Sequence, residues 1–388
     1  MHGSLDRIQS PFARLRALLD RVEPGARPID MTIGEPRHGP PALLAQKLAE
    51  RADLYSKYPP IGGAPELRES IAAWAARRYG VALDPARHIL PLNGTREGLF
   101  SAMFIARERK RVARPAVLMP NPFYQAYLAA ALAAGAEPSF LPATAETGHL
   151  PDLDAIPAET LARAAAFYLA SPANPQGVIA SRDYLARAIA LAREHGFMLF
   201  LDECYSEIYL GAPPPGGLEA AGDFANVCVF NSLSKRSNAP GLRSGFIAGD
   251  ADFLADFLKF RNVACPQVPL PVQHASASLW ADEAHVQASR ALYAEKFDAA
   301  QRILARWPRF AAPDAGMFLW LDVTHLGGGE AAAKTIWKGC GVKVLPGAYL
   351  AQNGAAGDNP GGRYIRLALV DSPAVTADAL MRIANLMG

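Results

Sequence analysis

The feature that most constrains the fold is a series of short runs in which nearly every residue is apolar. These runs lie at 116–119, 166–170, 197–201 and 227–230, and stretches with helical periodicity separate them. Strands that are apolar at every position are typical of a sheet that helices cover on both faces. The alternation of such strands with helices predicts an α/β domain with a mainly parallel mixed sheet between helices.

The pattern changes after about residue 290. A long helix at 291–307 precedes apparent strands at 317–323, 342–345 and 364–369, and a final helix is predicted at 376–387. A chain of 388 residues also exceeds the usual size of one hydrophobic core. We therefore expect a large α/β domain at 50–290. A smaller, discontinuous α+β domain combines 1–49, which includes an amphipathic helix from Leu5 to Val22, with 291–388.

The charge and cysteine content exclude several classes of protein. The net charge is +2, and the tightest basic cluster, Arg107 to Arg114, is interpreted as a helix end and a loop rather than a nucleic-acid site. The four cysteines are far apart and form no C-x-x-C pair, so we expect reduced thiols, no metal site and a cytoplasmic location. No apolar stretch is long enough to span a membrane, and none indicates a signal peptide.

The strongest chemical signal is the segment 231–245, which directly follows the apolar run 227–230. Open parallel sheets bind their ligands beyond the strand ends, where this segment lies. Lys235 is flanked by hydroxyl residues, with Ser232 and Ser234 before it and Ser237 after it, and Arg243 follows eight positions later. This arrangement suits a covalent aldehyde cofactor with a phosphate tail, which Ser232 and Arg243 would hold. In isolation the lysine would also be compatible with an ordinary basic loop.

Two further segments follow apolar strands. Asp202 comes directly after the run 197–201, and a buried acid needs a cationic partner, which the ring nitrogen of a pyridine cofactor would supply. Tyr205 and Asn174 would then lie near the phenolic oxygen of that ring. Alone, the aspartate could equally cap a helix, and the asparagine could belong to a simple turn.

Two more segments complete the set of candidate cofactor contacts. Gly94, Thr95 and Arg96 open a predicted helix, and backbone N–H groups at a helix start attract phosphate. Tyr124 follows the run 116–119 and could stack on a pyridine ring. A plain helix start and a core aromatic are the alternative interpretations of these two segments.

Taken together, these five segments resemble the class I and II aminotransferases of fold type I, the aspartate aminotransferase-like family. The resemblance extends from about Ile33 to Met387. It implies pyridoxal 5′-phosphate as the cofactor, with Lys235 as the Schiff-base lysine and general base and Asp202 paired with the pyridine nitrogen. It also implies cofactor contacts from Gly94, Thr95, Arg96, Tyr124, Asn174, Tyr205, Ser232, Ser234 and Arg243.

The resemblance further assigns substrate and partner contacts. Arg366 matches the arginine that binds the substrate α-carboxylate, and Gly34 matches a backbone contact to the same group. Tyr58 matches a tyrosine that reaches the cofactor phosphate of a neighbouring subunit, which implies a homodimer with shared active sites. From the sequence pattern alone, Arg366 would equally be a surface residue of a strand.

At finer detail, segments 58–63, 231–238 and 240–246 resemble the succinyldiaminopimelate aminotransferases of bacterial lysine synthesis. The implied ping-pong reaction moves an amino group between glutamate and N-succinyl-2-amino-6-oxopimelate. Such a substrate carries additional carboxylates, and Arg37, Lys57 and Arg236 are the candidates to bind the distal one.

Three alternatives remain open at this stage. An aminotransferase for aspartate, acetylornithine or aromatic amino acids would share the same motifs. A pyridoxal-dependent β-lyase would use the same lysine, aspartate and arginine to eliminate a β-substituent. A non-enzymatic regulator would need an added DNA-binding domain, and only about thirty residues precede the family pattern.

Overall fold

The computed structural model describes residues 8–354 and 357–387. Its strands are β1 (Ile29–Asp30), β2 (Ile89–Leu92), β3 (Ala116–Asn121), β4 (Glu137–Pro142), β5 (Ala164–Ala170), β6 (Met198–Asp202), β7 (Val227–Ser232), β8 (Gly245–Gly249), β9 (Phe318–Asp322), β10 (Val342–Lys343), β11 (Leu345–Pro346) and β12 (Tyr364–Ala368). Its α-helices are α1 (Pro11–Leu18), α2 (Ala42–Glu50), α3 (Pro65–Tyr79), α4 (Thr95–Arg109), α5 (Gln125–Ala133), α6 (Ala158–Arg163), α7 (Arg182–His195), α8 (Gly217–Ala221), α9 (Leu233–Arg236), α10 (Ala251–Ala264), α11 (Leu270–Ala281), α12 (Ala284–Ile303), α13 (Gly329–Cys340) and α14 (Pro373–Met387).

Seven strands form the large sheet, in the order β2-β8-β7-β6-β5-β3-β4. The pairs from β7 to β4 are parallel, whereas β8 is antiparallel to both of its neighbours. This confirms the predicted α/β fold with a mainly parallel mixed sheet. All four apolar runs of the sequence became central strands of this sheet.

Both faces of the sheet are covered, because successive side chains of a strand point to opposite faces. In β6, Leu199 and Leu201 pack into one core with helices α3, α7 and α11. Met198 and Phe200 pack into a second core with α4, α5 and α10. The strand is therefore apolar at every position because each face has its own helical layer.

Strands β2 and β4, which the sequence patterns did not indicate, are the two edges of the sheet. Each contains proline, Pro91 in β2 and Pro138 in β4. Proline lacks the N–H group that a central strand needs, so it is confined largely to edge strands and strand ends.

The remaining strands form two small sheets. Strand β12 lies between β11 and β9 in an antiparallel sheet, and β1 pairs with β10 in parallel. A separate core joins this region to α12, α13 and α14. We keep the domain limits at residues 50 and 290 as a proposal, which these separate cores support.

At the N-terminus, α1 agrees with the predicted amphipathic helix, and Leu15 packs against Trp337 and Tyr349. Leu5, at the start of that pattern, lies outside the described residues. Among residues 8–354 and 357–387, no helix has the length and apolarity needed to cross a membrane. The same residues contain no cluster of histidine, cysteine and acidic side chains that could hold a metal ion.

Candidate active site

The candidate site forms at the carboxyl ends of neighbouring parallel strands. Asp202 is the last residue of β6 and Ser232 the last of β7, and Tyr124 follows β3 closely. Parallel strands deliver their carboxyl ends to the same edge of a sheet, so residues far apart in the chain meet there. This edge is where the sequence motifs were expected to converge.

Lys235 lies in the single turn of α9, which begins directly after β7. The Ser232 hydroxyl caps this turn by accepting a hydrogen bond from the Ser234 backbone N–H (3.0 Å). The Lys235 amine donates to the carbonyl oxygen of Gly34. Burial lowers the pKa of Lys235 to about 8, and the cationic Arg366 also favours the neutral amine. The lysine thus has the lowered pKa that a nucleophile or general base needs near neutral pH.

One side of the site combines a helix start with hydroxyl and guanidinium groups. Gly94 is the N-cap of α4, with φ +80°, and a β-carbon at this position would lie 2.0 Å from Arg243 Nη2. A β-carbon on Gly245 would lie within 3.4 Å of both Thr95 and Ser232. The first N–H groups of a helix have no acceptor within the helix. These groups, with the exposed Arg243 side chain, form a concave set of donors suited to a phosphate.

A buried carboxylate lies near the lysine. Asp202 accepts hydrogen bonds from the Tyr127 hydroxyl (2.9 Å) and from the Cys204 backbone N–H (3.2 Å). Burial raises the pKa of Asp202, although the hydrogen bonds from Cys204 and Tyr127 and the nearby Lys235 oppose that effect. A buried aspartate whose hydrogen bonds come only from neutral groups is suited to a cationic ligand atom.

Two arginines connect the aromatic and amide groups of the site. Arg96 Nε donates to the Tyr124 hydroxyl (2.7 Å), which places the predicted stacking residue beside the start of α4. Arg366 Nη1 donates to Asn174 Oδ1 (3.1 Å). Tyr205 lies between these groups and the small sheet, with its ring 5.7 Å from that of Phe318. Burial raises its pKa, although Arg366 opposes that effect.

Arg366 itself is buried, with only 5% of its surface exposed. Nη2 donates to the Thr32 carbonyl (2.7 Å), and the guanidinium lies 4.3 Å above the ring of Phe318. Its Nε atom is buried and has no hydrogen-bond partner among the residues that the structure describes, and burial lowers the pKa of the guanidinium to about 10. No carboxylate of the described residues forms an ion pair with it. A buried guanidinium with an unused donor is suited to an incoming carboxylate.

The structure therefore brings together eleven of the predicted residues around Lys235, and their roles remain predictions. Tyr58 is the exception, because its side chain is fully exposed and makes no contact with this site. That position is compatible with the predicted contact to a second subunit. The residues brought together are Gly34, Gly94, Thr95, Arg96, Tyr124, Asn174, Asp202, Tyr205, Ser232, Arg243 and Arg366, with Ser234 adjoining Ser232 at 2.9 Å between hydroxyl oxygens.

Three residues were predicted as candidates to bind the distal carboxylate of the substrate, and the prediction for Arg236 is wrong. Its side chain is buried, donates to the Leu279 carbonyl (2.7 Å) and forms an ion pair with Glu283 (2.7 Å). Arg37 already pairs with Asp371 at 2.5 Å. Lys57 is exposed and remains a candidate.

Sequence reasoning missed residues that support the site. Tyr127, which donates to Asp202, belongs to an alanine-rich helix that showed no polar motif. Glu97 accepts two hydrogen bonds from the buried Arg261 (2.8 and 3.0 Å) and one from the Asn93 N–H (2.9 Å), so it fixes the start of α4. Glu97 follows Arg96 in the segment that opens the helix, and this position was the only feature of the sequence that indicated a role for Glu97.

The chemistry of these groups fits pyridoxal phosphate. Backbone N–H groups, hydroxyls and Arg243 suit the phosphate, Asp202 suits a protonated pyridine nitrogen, and Lys235 suits the aldehyde. A β-carbon at Gly94 would displace the Arg243 guanidinium from this cradle.

The comparisons with known proteins agree with this fit. The family model for aminotransferase class I and II matches residues 26–369. An LL-diaminopimelate aminotransferase from Desulforudis audaxviator is 32% identical over 384 residues, which cover 97% of this chain and 95% of that protein. The solved structure of an aminotransferase from Neisseria meningitidis has a TM-score of 0.95 at 38% identity, with 100% of both chains covered.

A third similar protein is a probable N-succinyldiaminopimelate aminotransferase from Thermus thermophilus. It has a TM-score of 0.86 at 27% identity, with 97% of this chain and 100% of that chain covered. The family match covers most of the residues, and the fold agrees throughout. The chain therefore belongs to the class I and II aminotransferases, and it is a pyridoxal-phosphate-dependent transaminase of fold type I.

Proposed function

We propose that this aminotransferase moves an amino group between glutamate and an amino acid with the diaminopimelate framework, in lysine biosynthesis. The observation that carries the amino-acid part of this proposal is the buried Arg366, whose Nε has no hydrogen-bond partner among the described residues. Its charge is close enough to Lys235 to lower the pKa of that lysine. An α-amino acid presents a carboxylate and an amine, and these two groups match the arginine and the lysine. The names of the relatives supply the diaminopimelate part.

The cofactor, when bound, supplies an aldehyde and an electron-withdrawing ring that stabilises negative charge on the substrate Cα. We assign proton transfer at that carbon to Lys235, because its lowered pKa leaves the amine partly neutral near neutral pH. Asp202 would keep the ring nitrogen protonated. Ser232, Ser234, Arg243 and the start of α4 would bind the phosphate.

Arg366 would orient the substrate through its α-carboxylate. Its Nη1 already contacts Asn174 and its Nη2 contacts the Thr32 carbonyl, so the guanidinium plane is fixed before substrate binds. A fixed carboxylate leaves the substrate Cα–H bond in one direction relative to Lys235. Such positioning lowers the barrier without any movement of the arginine.

The relatives' names support two forms of the substrate. The Desulforudis protein is named for LL-diaminopimelate, and the Thermus protein for its N-succinyl derivative. The identities of 32% and 27% favour the free diamino acid as the first substrate to test. The succinylated form, which the sequence motifs favour, is the second candidate.

We also propose a homodimer in which Tyr58 contributes to the partner's site. The fully exposed Tyr58 and the nearby Tyr55, which is 61% exposed, support an interface on this surface. Size-exclusion chromatography with light scattering would test the dimer. To test the shared site, cofactor affinity would be measured on a mixture of Tyr58→Phe chains and Lys235→Ala chains.

A substrate panel tests the reaction. Purified protein loaded with pyridoxal phosphate is incubated with 2-oxoglutarate and either LL-diaminopimelate, N-succinyl-LL-diaminopimelate, aspartate, acetylornithine or phenylalanine, and glutamate is measured. Preference for one of the first two amino donors supports the proposal. Preference for another donor overturns the substrate. A β-lyase needs a donor with a leaving group at Cβ, so cystathionine is added as a sixth donor, and its conversion to pyruvate without formation of glutamate would indicate a β-lyase.

Lys57→Ala tests the distal carboxylate within the same panel. If the exposed Lys57 binds that group, KM for the diaminopimelate donor rises and KM for glutamate changes less. Lys259→Ala is the matched control, because Lys259 is 78% exposed on α10. Equal KM values for Lys57→Ala and the control would exclude Lys57 from that role.

A further inference from the structure

The loop of residues 32–36, here called the Gly34 loop, is fixed at one end to the last residue of β12 and at the other end to Val370, two residues beyond that strand. Before it, the Met31 carbonyl accepts a hydrogen bond from the Ala368 N–H (2.7 Å). After it, the Arg37 N–H donates to the Val370 carbonyl (3.1 Å). Between these two anchors, the Gly34 carbonyl accepts a hydrogen bond from the Lys235 amine. The position of Gly34 therefore depends on both anchors.

A buried lysine lies beneath the second anchor. Lys296 of α12 is completely buried, and its amine lies 2.6 Å from His38 Nε2 and 2.7 Å from the Leu369 carbonyl oxygen. It also lies 4.3 Å from the centre of the Tyr293 ring. His38 directly follows Arg37, and Leu369 directly follows β12. The lysine thus bridges the two chain segments that carry Gly34 and Arg366.

The partners of Lys296 are unusual for a buried amine, since they are a ring nitrogen and a carbonyl rather than a carboxylate. Burial lowers the pKa of Lys296 to about 7, while Asp371 and Glu295 favour its charged form. Burial and Lys296 also lower the pKa of His38, which favours the neutral ring, and a neutral ring can accept a hydrogen bond at Nε2. A buried polar network whose members are hydrogen-bonded makes its surroundings rigid.

The second anchor has one more polar contact, on the solvent side. Arg37 forms an ion pair with Asp371 (2.5 Å), and its side chain is 41% exposed. Exposed pairs of this kind contribute little to stability. The Lys296 bridge adds two contacts to this anchor that are shielded from solvent. No residue of the bridge belongs to the cofactor contacts described above.

We propose that Lys296 is a positioning residue for substrate binding: by bridging His38 and Leu369, it holds the Gly34 loop against the strand that carries Arg366 and sets the affinity for the substrate α-carboxylate. This inference rests on the proposed function, which assigns the carboxylate to Arg366 and Gly34. A purely structural role for Lys296 would lower stability and leave the discrimination between carboxylate and non-carboxylate ligands unchanged.

The test measures carboxylate binding separately from turnover. Glutarate lacks an amino group and cannot react, so calorimetry on the protein loaded with pyridoxal phosphate gives its Kd directly. Lys296→Met removes the amine and keeps the length of the side chain, and Lys259→Met on α10 is the matched exposed control. We expect Kd for glutarate and KM for glutamate to rise about tenfold in Lys296→Met, with kcat changed much less.

Two variants of His38 keep the test informative if Lys296→Met does not fold. His38→Leu removes the acceptor and should raise the glutarate Kd in the same way. His38→Gln retains an oxygen acceptor and should restore most of the affinity. Reaction of a primary amine without a carboxylate should be equal in wild type, in Lys296→Met and in His38→Leu.

An unchanged glutarate Kd in Lys296→Met or His38→Leu would overturn this inference. It would also be overturned if glutarate binding and the reaction of the primary amine were weakened by the same factor. Failure of the proposed function would look different. Arg366→Lys should itself weaken the binding of glutarate. An unchanged glutarate Kd in that variant would reject the assignment of the substrate carboxylate to Arg366, independently of the results for the Lys296 variants.

Discussion

Replacement of Gly94 by alanine should separate cofactor binding from folding. Gly94 is the N-cap of α4, with φ +80° and ψ 150°. This backbone region is essentially restricted to glycine, and other residues there cost about 1–3 kcal/mol. The new β-carbon would also lie 2.0 Å from Arg243 Nη2 and 2.6 Å from Arg243 Cζ. The substitution therefore strains the backbone and displaces the arginine.

The two effects have different sizes and different observables. The backbone strain should lower the free energy of unfolding of the cofactor-free protein by about 1–3 kcal/mol. The Arg243 side chain is exposed and flexible, so its displacement adds little to that loss. A hydrogen bond to a charged group contributes about 1.5–3 kcal/mol, and about 1.4 kcal/mol corresponds to a tenfold change in Kd. We therefore expect the Kd for pyridoxal phosphate to rise about 10- to 100-fold.

Gly196→Ala is the matched control. Gly196 ends α7 with φ +63°, and a β-carbon there would meet no atom within 4 Å. It should lower the free energy of unfolding by about 1–2 kcal/mol and leave cofactor affinity unchanged. Urea unfolding followed by circular dichroism gives the first quantity, and quenching of tryptophan fluorescence gives the second. If Gly94→Ala lost stability but bound the cofactor as wild type does, the phosphate would not lie between Gly94 and Arg243.

Three other perturbations test separate parts of the site. In cofactor-free protein, acetylation of Lys235 followed by mass spectrometry should increase as pH rises through about 8, because its lowered pKa leaves the amine protonated below that pH and neutral above it; a midpoint at the ordinary lysine value would contradict this. Tyr127→Phe removes a donor that lowers the pKa of Asp202, so the acidic limb of the activity–pH profile should shift upward, and an unmoved limb would exclude that coupling. Arg236→Met should lower the free energy of unfolding by about 1–3 kcal/mol, through loss of the Glu283 pair and two carbonyl contacts, and leave every KM unchanged; a raised KM for a dicarboxylate donor would restore Arg236 to the substrate site.

The central strands were predictable because their environment is uniform. In β5, β6 and β7 every position is buried, and the apolar runs in the sequence marked them to within a few residues. The edge strands β2 and β4 were not predicted from the sequence, because an edge strand tolerates proline and, in β4, exposed residues. Apolar periodicity reports on burial, and it therefore loses a partly buried strand such as β4. Strand β2 is buried at every position, and the proline within its four residues is what separates it from the other apolar runs.

The site was predictable for a related reason. Strand ends at one edge of a parallel sheet converge whatever lies between them, so Asp202, Asn174 and Lys235 could be grouped before any distance was known. Contacts that depend on the packing of the small sheet could not be grouped in this way. Lys235 meets Gly34 across 201 residues, and Arg366 meets Thr32 across 334.

The error at Arg236 shows where adjacency in the chain misleads. Lys235 and Arg236 are neighbours in α9, and successive residues of a helix point about 100° apart. Lys235 therefore reaches the Gly34 loop, whereas Arg236 lies over the Trp280 ring, 5.0 Å from its centre, and pairs with Glu283. Its charge serves the packing of α11 and α12 against the sheet. A cation next to a catalytic lysine in sequence is thus a substrate ligand only if the helical turn also points it into the same cavity, and here it does not.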